Sequence, residues 1–154
     1  MNVLRNIGAV LAGIIVGSIV NMAIVMLSIF VFPLPEGTDL FDPVAMEQVI
    51  ASFGPGQFLF AFAAHALGTL VGAVVAARIA TTRKMWFAIG VGLYFLYGGV
   101  TMIAMYGGPM WFKVLDLVGG YIPMGWLGAK LTGGGGGSQV GEILSPELQT
   151  TEVS

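Results

Sequence analysis

The chain has no cysteine and a single histidine, His65, among its 154 residues. Without thiols there is no disulfide, no thiol redox chemistry and no thiolate metal site, and one histidine leaves too few ligands for a zinc centre of the usual nitrogen–sulfur type. Charge is equally scarce. Charged residues make up 9% of the chain, against roughly 25% in a soluble domain, too few to cover a water-facing surface. Six Lys and Arg stand against eight Asp and Glu, so there is no basic surface for nucleic acid. No Gly-x-x-x-x-Gly-Lys-Ser/Thr phosphate loop occurs. Gly90-x-Gly92 sits inside an apolar run rather than after a soluble strand, so it is no dinucleotide fingerprint. A Ser–His–Asp set can be drawn from Ser18 or Ser28 with His65 and Asp116, but only from common residues at no diagnostic spacing. No catalytic residue, metal or cofactor is expected.

What is abundant is apolar. Hydrophobic residues reach 56%, glycine numbers 24, and the mean hydropathy is +0.91. A helix needs about 20 apolar residues to cross a hydrocarbon core of roughly 30 Å. Four stretches qualify, over residues 4–32, 58–79, 86–105 and 110–131. The first is too long, and ends in too bulky a sequence, to be a cleaved leader. The last is the weakest, because it carries Lys113 and Asp116. The expected fold is an all-α membrane protein, an up-down bundle of four transmembrane helices over residues 1–131. In a four-span arrangement Arg5, Arg78, Arg83, Lys84 and Lys130 fall on one side and only Lys113 on the other. That bias places both termini on the cytoplasmic side.

The first outer loop carries a helix signal of its own. Asp42 followed by Pro43 reads as an N-cap with proline at the first helical position. Met46, Val49, Ile50 and Phe53 then recur at helical spacing, opposite Glu47, Gln48 and Ser52. A short amphipathic helix over about 43–53, lying at the membrane surface, is predicted. Residues 132–154 begin with a glycine-rich linker and continue as a polar, disordered cytoplasmic tail.

Lipid supplies no hydrophobic drive for helix association, so small residues that let backbones approach carry much of the packing. Gly13 and Gly17 form such a stripe in the first span, Gly68 and Gly72 in the second. They pack against each other or against a neighbouring subunit. In the fourth span Pro123 cannot donate to the carbonyl of Gly119, so a kink is predicted around Gly119, Gly120 and Pro123.

A polar layer crosses these apolar helices. At about 1.5 Å per residue, Asn21, His65, Thr101 and Asp116 all lie roughly 20–24 Å from the basic ends of their helices. Ser18, Ser28, Thr69, Tyr94 and Tyr97 extend the same stripes. Ionisable groups in a membrane are costly and mark sites by default. Asp116 is expected to pair with His65 across the bundle, assisted by Asn21 and Thr101. Plainer readings stand beside this one. Asp116 could pair with Lys113 along its own helix, His65 could hydrogen-bond a backbone carbonyl in the core, and the polar groups could serve only as interhelical glue.

The strings Ala64-His65-Ala66-Leu67-Gly68-Thr69-Leu70-Val71-Gly72 and Tyr121-Ile122-Pro123-Met124-Gly125-Trp126-Leu127-Gly128 resemble segments of small four-helix membrane proteins of bacteria, notably of the Bacteroidetes type. The resemblance covers about residues 1–131 and implies a fold but no activity. Small multidrug transporters are similar in size, but they use a membrane Glu in the first helix, where this chain has Asn21. The functional expectation is a non-enzymatic accessory or self-associating membrane subunit, partnered by the bilayer and by a second copy or another membrane protein. The alternative is a small-solute or proton-coupled transporter that uses the polar layer.

Overall fold

A computed structural model describes residues 2–39 and 41–133. The described residues are helical and turn, with no strand. The elements are α1 (Asn2–Val31), α2 (Pro43–Ala51), α3 (Pro55–Ile79), α4 (Lys84–Tyr106), α5 (Met110–Gly119) and α6 (Ile122–Leu131). α1, α3 and α4 are long and apolar enough to cross a membrane. The expected linker and tail beyond residue 133 lie outside the described residues.

α1 and α3 run antiparallel, and their closeness is a direct consequence of glycine. A Cβ built on Gly13 would lie 2.5 Å from the carbonyl oxygen of Gly72, and one on Gly17 would lie 2.6 Å from that of Gly68. The reverse contacts are as tight, at 2.6 Å from Gly72 and 2.9 Å from Gly68. Each backbone fills the space that any side chain on the other would need. The two stripes therefore face one another inside the chain. This removes them as the basis for self-association, for which the sequence had left them open.

α4 completes the core from the side. Val91 packs on Gly13 and Gly72, and Phe95 on Gly17. α6 lies against α3 and α4: Gly128 meets Ala73 and Leu70, and Gly125 meets the backbone at Ala88 and Ile89. The buried core is accordingly made of small side chains, among them Ala9, Ala64, Ala73, Ala76, Ala77, Ala88 and Ala129. Large apolar side chains point outward instead, including Leu11, Ile15, Ile19, Met22, Leu93 and Val118. A surface of this kind suits hydrocarbon rather than water.

One end of the bundle is closed by side-chain hydrogen bonds. Arg5 donates through Nε to the carbonyl of Ile79 at 3.0 Å, at the end of α3. The buried Asn6 accepts from the Thr81 amide (3.0 Å) and hydroxyl (3.1 Å), and donates to the Thr82 hydroxyl (3.1 Å). The turn from α3 to α4 is thereby pinned to α1. It passes through Arg83, whose φ of 47° is the only positive value at a non-glycine residue among those described. Lys130 lies toward the same end and sits 4.1 Å over the ring of Trp126.

At the other end, α2 begins as its sequence dictates. Asp42 accepts from the Val44 amide at 2.9 Å, with Pro43 in the first turn. Met46, Val49, Ile50 and Phe53 are half-buried, while Glu47, Gln48 and Ser52 face out. Ile50, Phe53, Phe58, Gly108 and Pro109 line a cleft of about 320 Å³ beneath it.

The region 110–131 differs from the sequence expectation. It is not one helix with a kink but two helices of ten residues each, α5 and α6, separated at Gly120 and Tyr121. The cause lies in the same three residues. Gly119 and Gly120 weaken the helix, and Pro123 takes the first turn of α6, where its missing N–H belongs to a donor set that has no helical partner anyway. A ten-residue helix is about 15 Å long, so neither half could cross a bilayer alone.

Candidate functional site

The break between α5 and α6 is where the polar side chains meet. Asp116, in the last turn of α5, is fully enclosed at 0% exposure, and Tyr121, between the two helices, is 1% exposed. The Tyr121 hydroxyl donates to Asp116 Oδ2 at 2.7 Å. His65, on α3, brings Nδ1 to 2.8 Å from Asp116 Oδ1 and to 2.9 Å from the Tyr121 hydroxyl oxygen. The His65 and Tyr121 rings lie 5.7 Å apart, tilted by 31°.

A proton arrangement with Asp116 as acceptor satisfies all three contacts. Tyr121 gives its proton to Oδ2, and Nδ1–H is shared between Oδ1 and the phenolic oxygen. If the carboxyl held the proton and donated to Nδ1, the Tyr121–His65 contact would have no hydrogen between its two atoms. In this arrangement Asp116 accepts at both oxygens and His65 donates from Nδ1. A buried carboxylate is expensive unless donors surround it, and here donors reach both of its oxygens.

Local sequence explains how the cluster fits. The end of the Tyr121 side chain occupies the place where a Cβ on Gly99 of α4 would be, overlapping its hydroxyl, Cζ and Cε2. Gly92, two turns earlier on α4, meets the Tyr121 carbonyl at 3.0 Å from its ideal Cβ. Gly120 gives similar room beside Asp116, and its amide donates to the Asp116 carbonyl at 2.8 Å. Gly119 packs against Phe62 of α3.

The four residues of the expected polar layer separate into two sets. His65 and Asp116 are in direct contact, and Lys113 takes no part: His65–Asp116 is the sole base–carboxylate contact within salt-bridge distance among the described residues. Thr101 is a correction. Its side chain lies on the exposed face of α4 and its hydroxyl donates to the Tyr97 carbonyl of its own helix at 2.9 Å. It stands at the right height but on the wrong side, because depth counted along a helix carries no information about face. Asn21 is intermediate. It packs on Gly68, one turn from His65, and its buried Oδ1 has no hydrogen-bond partner. The buried Thr69 hydroxyl is likewise without one.

Tyr121 is the member that the sequence reading missed. It lies five residues after Asp116, which in an unbroken helix would turn it away from the carboxylate. The Gly-Gly-Tyr-x-Pro order was the available signal that the helix would not continue. Among the described residues no group of three His, Asp or Glu comes together that could hold a metal ion.

No protein-family model, curated protein or solved structure matches the chain, so the resemblance of the two quoted strings to four-helix bacterial membrane proteins has no match behind it.

Proposed function

We propose that this chain is a small multipass protein of the bacterial inner membrane that acts by associating with a second copy of itself rather than by transforming a bound molecule. In this reading α5 and α6 together make a fourth crossing, and the basic ends of α1, α3, α4 and α6 hold both termini in the cytoplasm. α2 then rests at the outer surface.

The outward face of α4 carries the association reading. Gly90, Tyr94, Tyr97, Gly98 and Thr101 fall on one face at helical spacing. A Cβ on Gly90 or Gly98 would meet nothing, and Tyr97 is 75% exposed. Counted from Trp86, the two tyrosines lie roughly 12–17 Å into the membrane. Tyrosine belongs at the interfaces of a bilayer, where its hydroxyl reaches water. Two tyrosines facing hydrocarbon beside two open glycines describe a surface that another helix covers. In a pair related by a two-fold axis along the membrane normal, α4 meets α4 and each Gly98 receives the other chain.

The absence of native cysteine makes the test clean. Gly98→Cys is expected to give disulfide-linked dimers on mild oxidation in native membranes, and Ile15→Cys, on the exposed face of α1, is expected to stay monomeric. Monomer from Gly98→Cys, or equal dimer from both, would refute the proposal.

A second reading, proton-coupled transport, is favoured by the His65–Asp116–Tyr121 cluster at a helix break, since transporters build their sites at interrupted helices. Flux into proteoliposomes that is unaffected by Asp116→Asn would remove that reading.

A further inference from the structure

Three polar atoms in the bundle have unmet hydrogen-bonding capacity, and they belong together. Asn21 Oδ1 and Thr69 Oγ1 are buried without a partner. His65 Nε2 has none among the described residues, and with 22% of its side chain exposed it is not among the buried unpartnered atoms, so it reaches the molecular surface. The register of α1 on α3 fixes their heights. Gly13 faces Gly72 and Gly17 faces Gly68, so the next step sets Asn21 level with Ala64 and His65. Thr69 follows one turn on, about 5.4 Å along the axis. His65, Gly68, Thr69 and Gly72 share the i, i+3, i+4, i+7 face of α3, with Gly68 and Gly72 meeting α1 and His65 meeting the α5–α6 break.

Their chemistry is complementary to one kind of molecule. Asn21 Oδ1 only accepts. In a neutral His65 that carries its proton on Nδ1, toward Asp116 and Tyr121, Nε2 also only accepts. The Thr69 hydroxyl can donate. What fits is a small neutral molecule with two donors and an acceptor, which is water. Buried polar atoms without partners are rare, and those that occur in native proteins commonly hold ordered water.

We infer that His65 Nε2, Asn21 Oδ1 and Thr69 Oγ1 form a hydration site within the membrane, through which the His65–Asp116–Tyr121 cluster exchanges protons with the aqueous phase. His65 is the point of contact, because Asp116 and Tyr121 are enclosed. The site does not depend on whether the chain self-associates.

Because the chain has one histidine, histidine-selective ¹⁵N labelling reports His65 alone. In lipid vesicles, solid-state spectra with polarisation transferred from water should show the His65 imidazole receiving water magnetisation, with Nε2 as the unprotonated, hydrogen-bonded nitrogen. Thr69→Val and Asn21→Leu should each lower that transfer toward the level of lipid-facing methyls, whereas Thr69→Ser and Thr101→Val should leave it unchanged. A His65 in the unmodified protein that receives no water magnetisation overturns the inference, whatever the variants do. Transfer that persists undiminished in both Thr69→Val and Asn21→Leu overturns it too, since hydration would then have nothing to do with these groups.

Discussion

Replacing Tyr121 with Phe removes one hydroxyl group from the most enclosed point of the structure. The Tyr121 hydroxyl donates to Asp116 Oδ2 at 2.7 Å, and both residues are enclosed. Two magnitudes compete. A hydrogen bond to a charged group contributes about 1.5–3 kcal/mol, and an orphaned buried acceptor costs a similar amount. Side-chain hydrogen bonds measured within membrane bundles average only about 0.6 kcal/mol, with a maximum near 1.7, because the unfolded chain in lipid also finds partners. Asp116 is fully enclosed, which argues for the upper end of the membrane range, about 1.5 kcal/mol. The measurement is reversible unfolding in mixed micelles of rising dodecyl sulfate content, followed by tryptophan fluorescence. A cycle with Asp116→Asn isolates the pair and should return a coupling of about 1 kcal/mol. Gly99→Ala attacks the same contact from the other side. Its Cβ would fall on the hydroxyl, Cζ and Cε2 of Tyr121, and two of those three atoms remain in Phe. Gly99→Ala should therefore destabilise at least as much as Tyr121→Phe, and should still destabilise in the Phe background. A Tyr121→Phe protein within about 0.5 kcal/mol of the parent, the range of an ordinary surface substitution, with no coupling to Asp116, would refute the account of the cluster.

Three further outcomes follow from the packing. Gly17→Leu must push apart backbones that approach to 2.6 Å between an ideal Cβ and the Gly68 oxygen; a carbonyl cannot rotate away as a side chain can, so a loss of about 3 kcal/mol, the upper end for overpacking, or failure to fold in a micelle assay, is expected. Asn6→Ala leaves the Thr81 amide and the Thr82 hydroxyl without their partner at the turn and should cost about 1–3 kcal/mol, visible as faster amide exchange at Thr81. Thr101→Val removes a hydroxyl that bonds only to its own helix on an exposed face, so stability should stay within about 0.5 kcal/mol of the parent in the same micelle titration.

Different parts of this molecule were legible to different degrees, for identifiable reasons. The three long helices are written in composition, since only a helix satisfies its backbone across an apolar stretch of this length. α2 is written in its cap, Asp42 and Pro43, because capping chemistry is local. The Gly13–Gly17 and Gly68–Gly72 stripes announced close packing but not its partner, because spacing defines a face and not what the face meets. Heights were readable from the helical rise, which is why Asn21 and His65 come out level. Azimuth was not, and Thr101 shows the consequence. The hardest element was the broken one. Gly119, Gly120 and Pro123 each weaken a helix, and reading them as a kink rather than a break kept Tyr121 out of the site.

That break gives the cluster its logic. An interrupted helix frees backbone groups that lipid cannot satisfy, and a ten-residue helix has little stability of its own. Pro123 lowers the number of freed donors by one. The remaining need is to hold α5 and α6 in place, and apolar packing does this poorly where the surrounding medium is itself apolar. Asp116 and Tyr121 lie on either side of the break, and both are tied to His65 on α3, so a single carboxylate joins the two short helices to the long one. Glue of this kind would work as well with neutral partners, and would spare the cost of burying a charge. Under the hydration proposal, the second imidazole nitrogen, which reaches the surface, is what would separate this arrangement from simple glue. It is the reason the hydration experiment on His65, more than any stability measurement, bears on what the protein does.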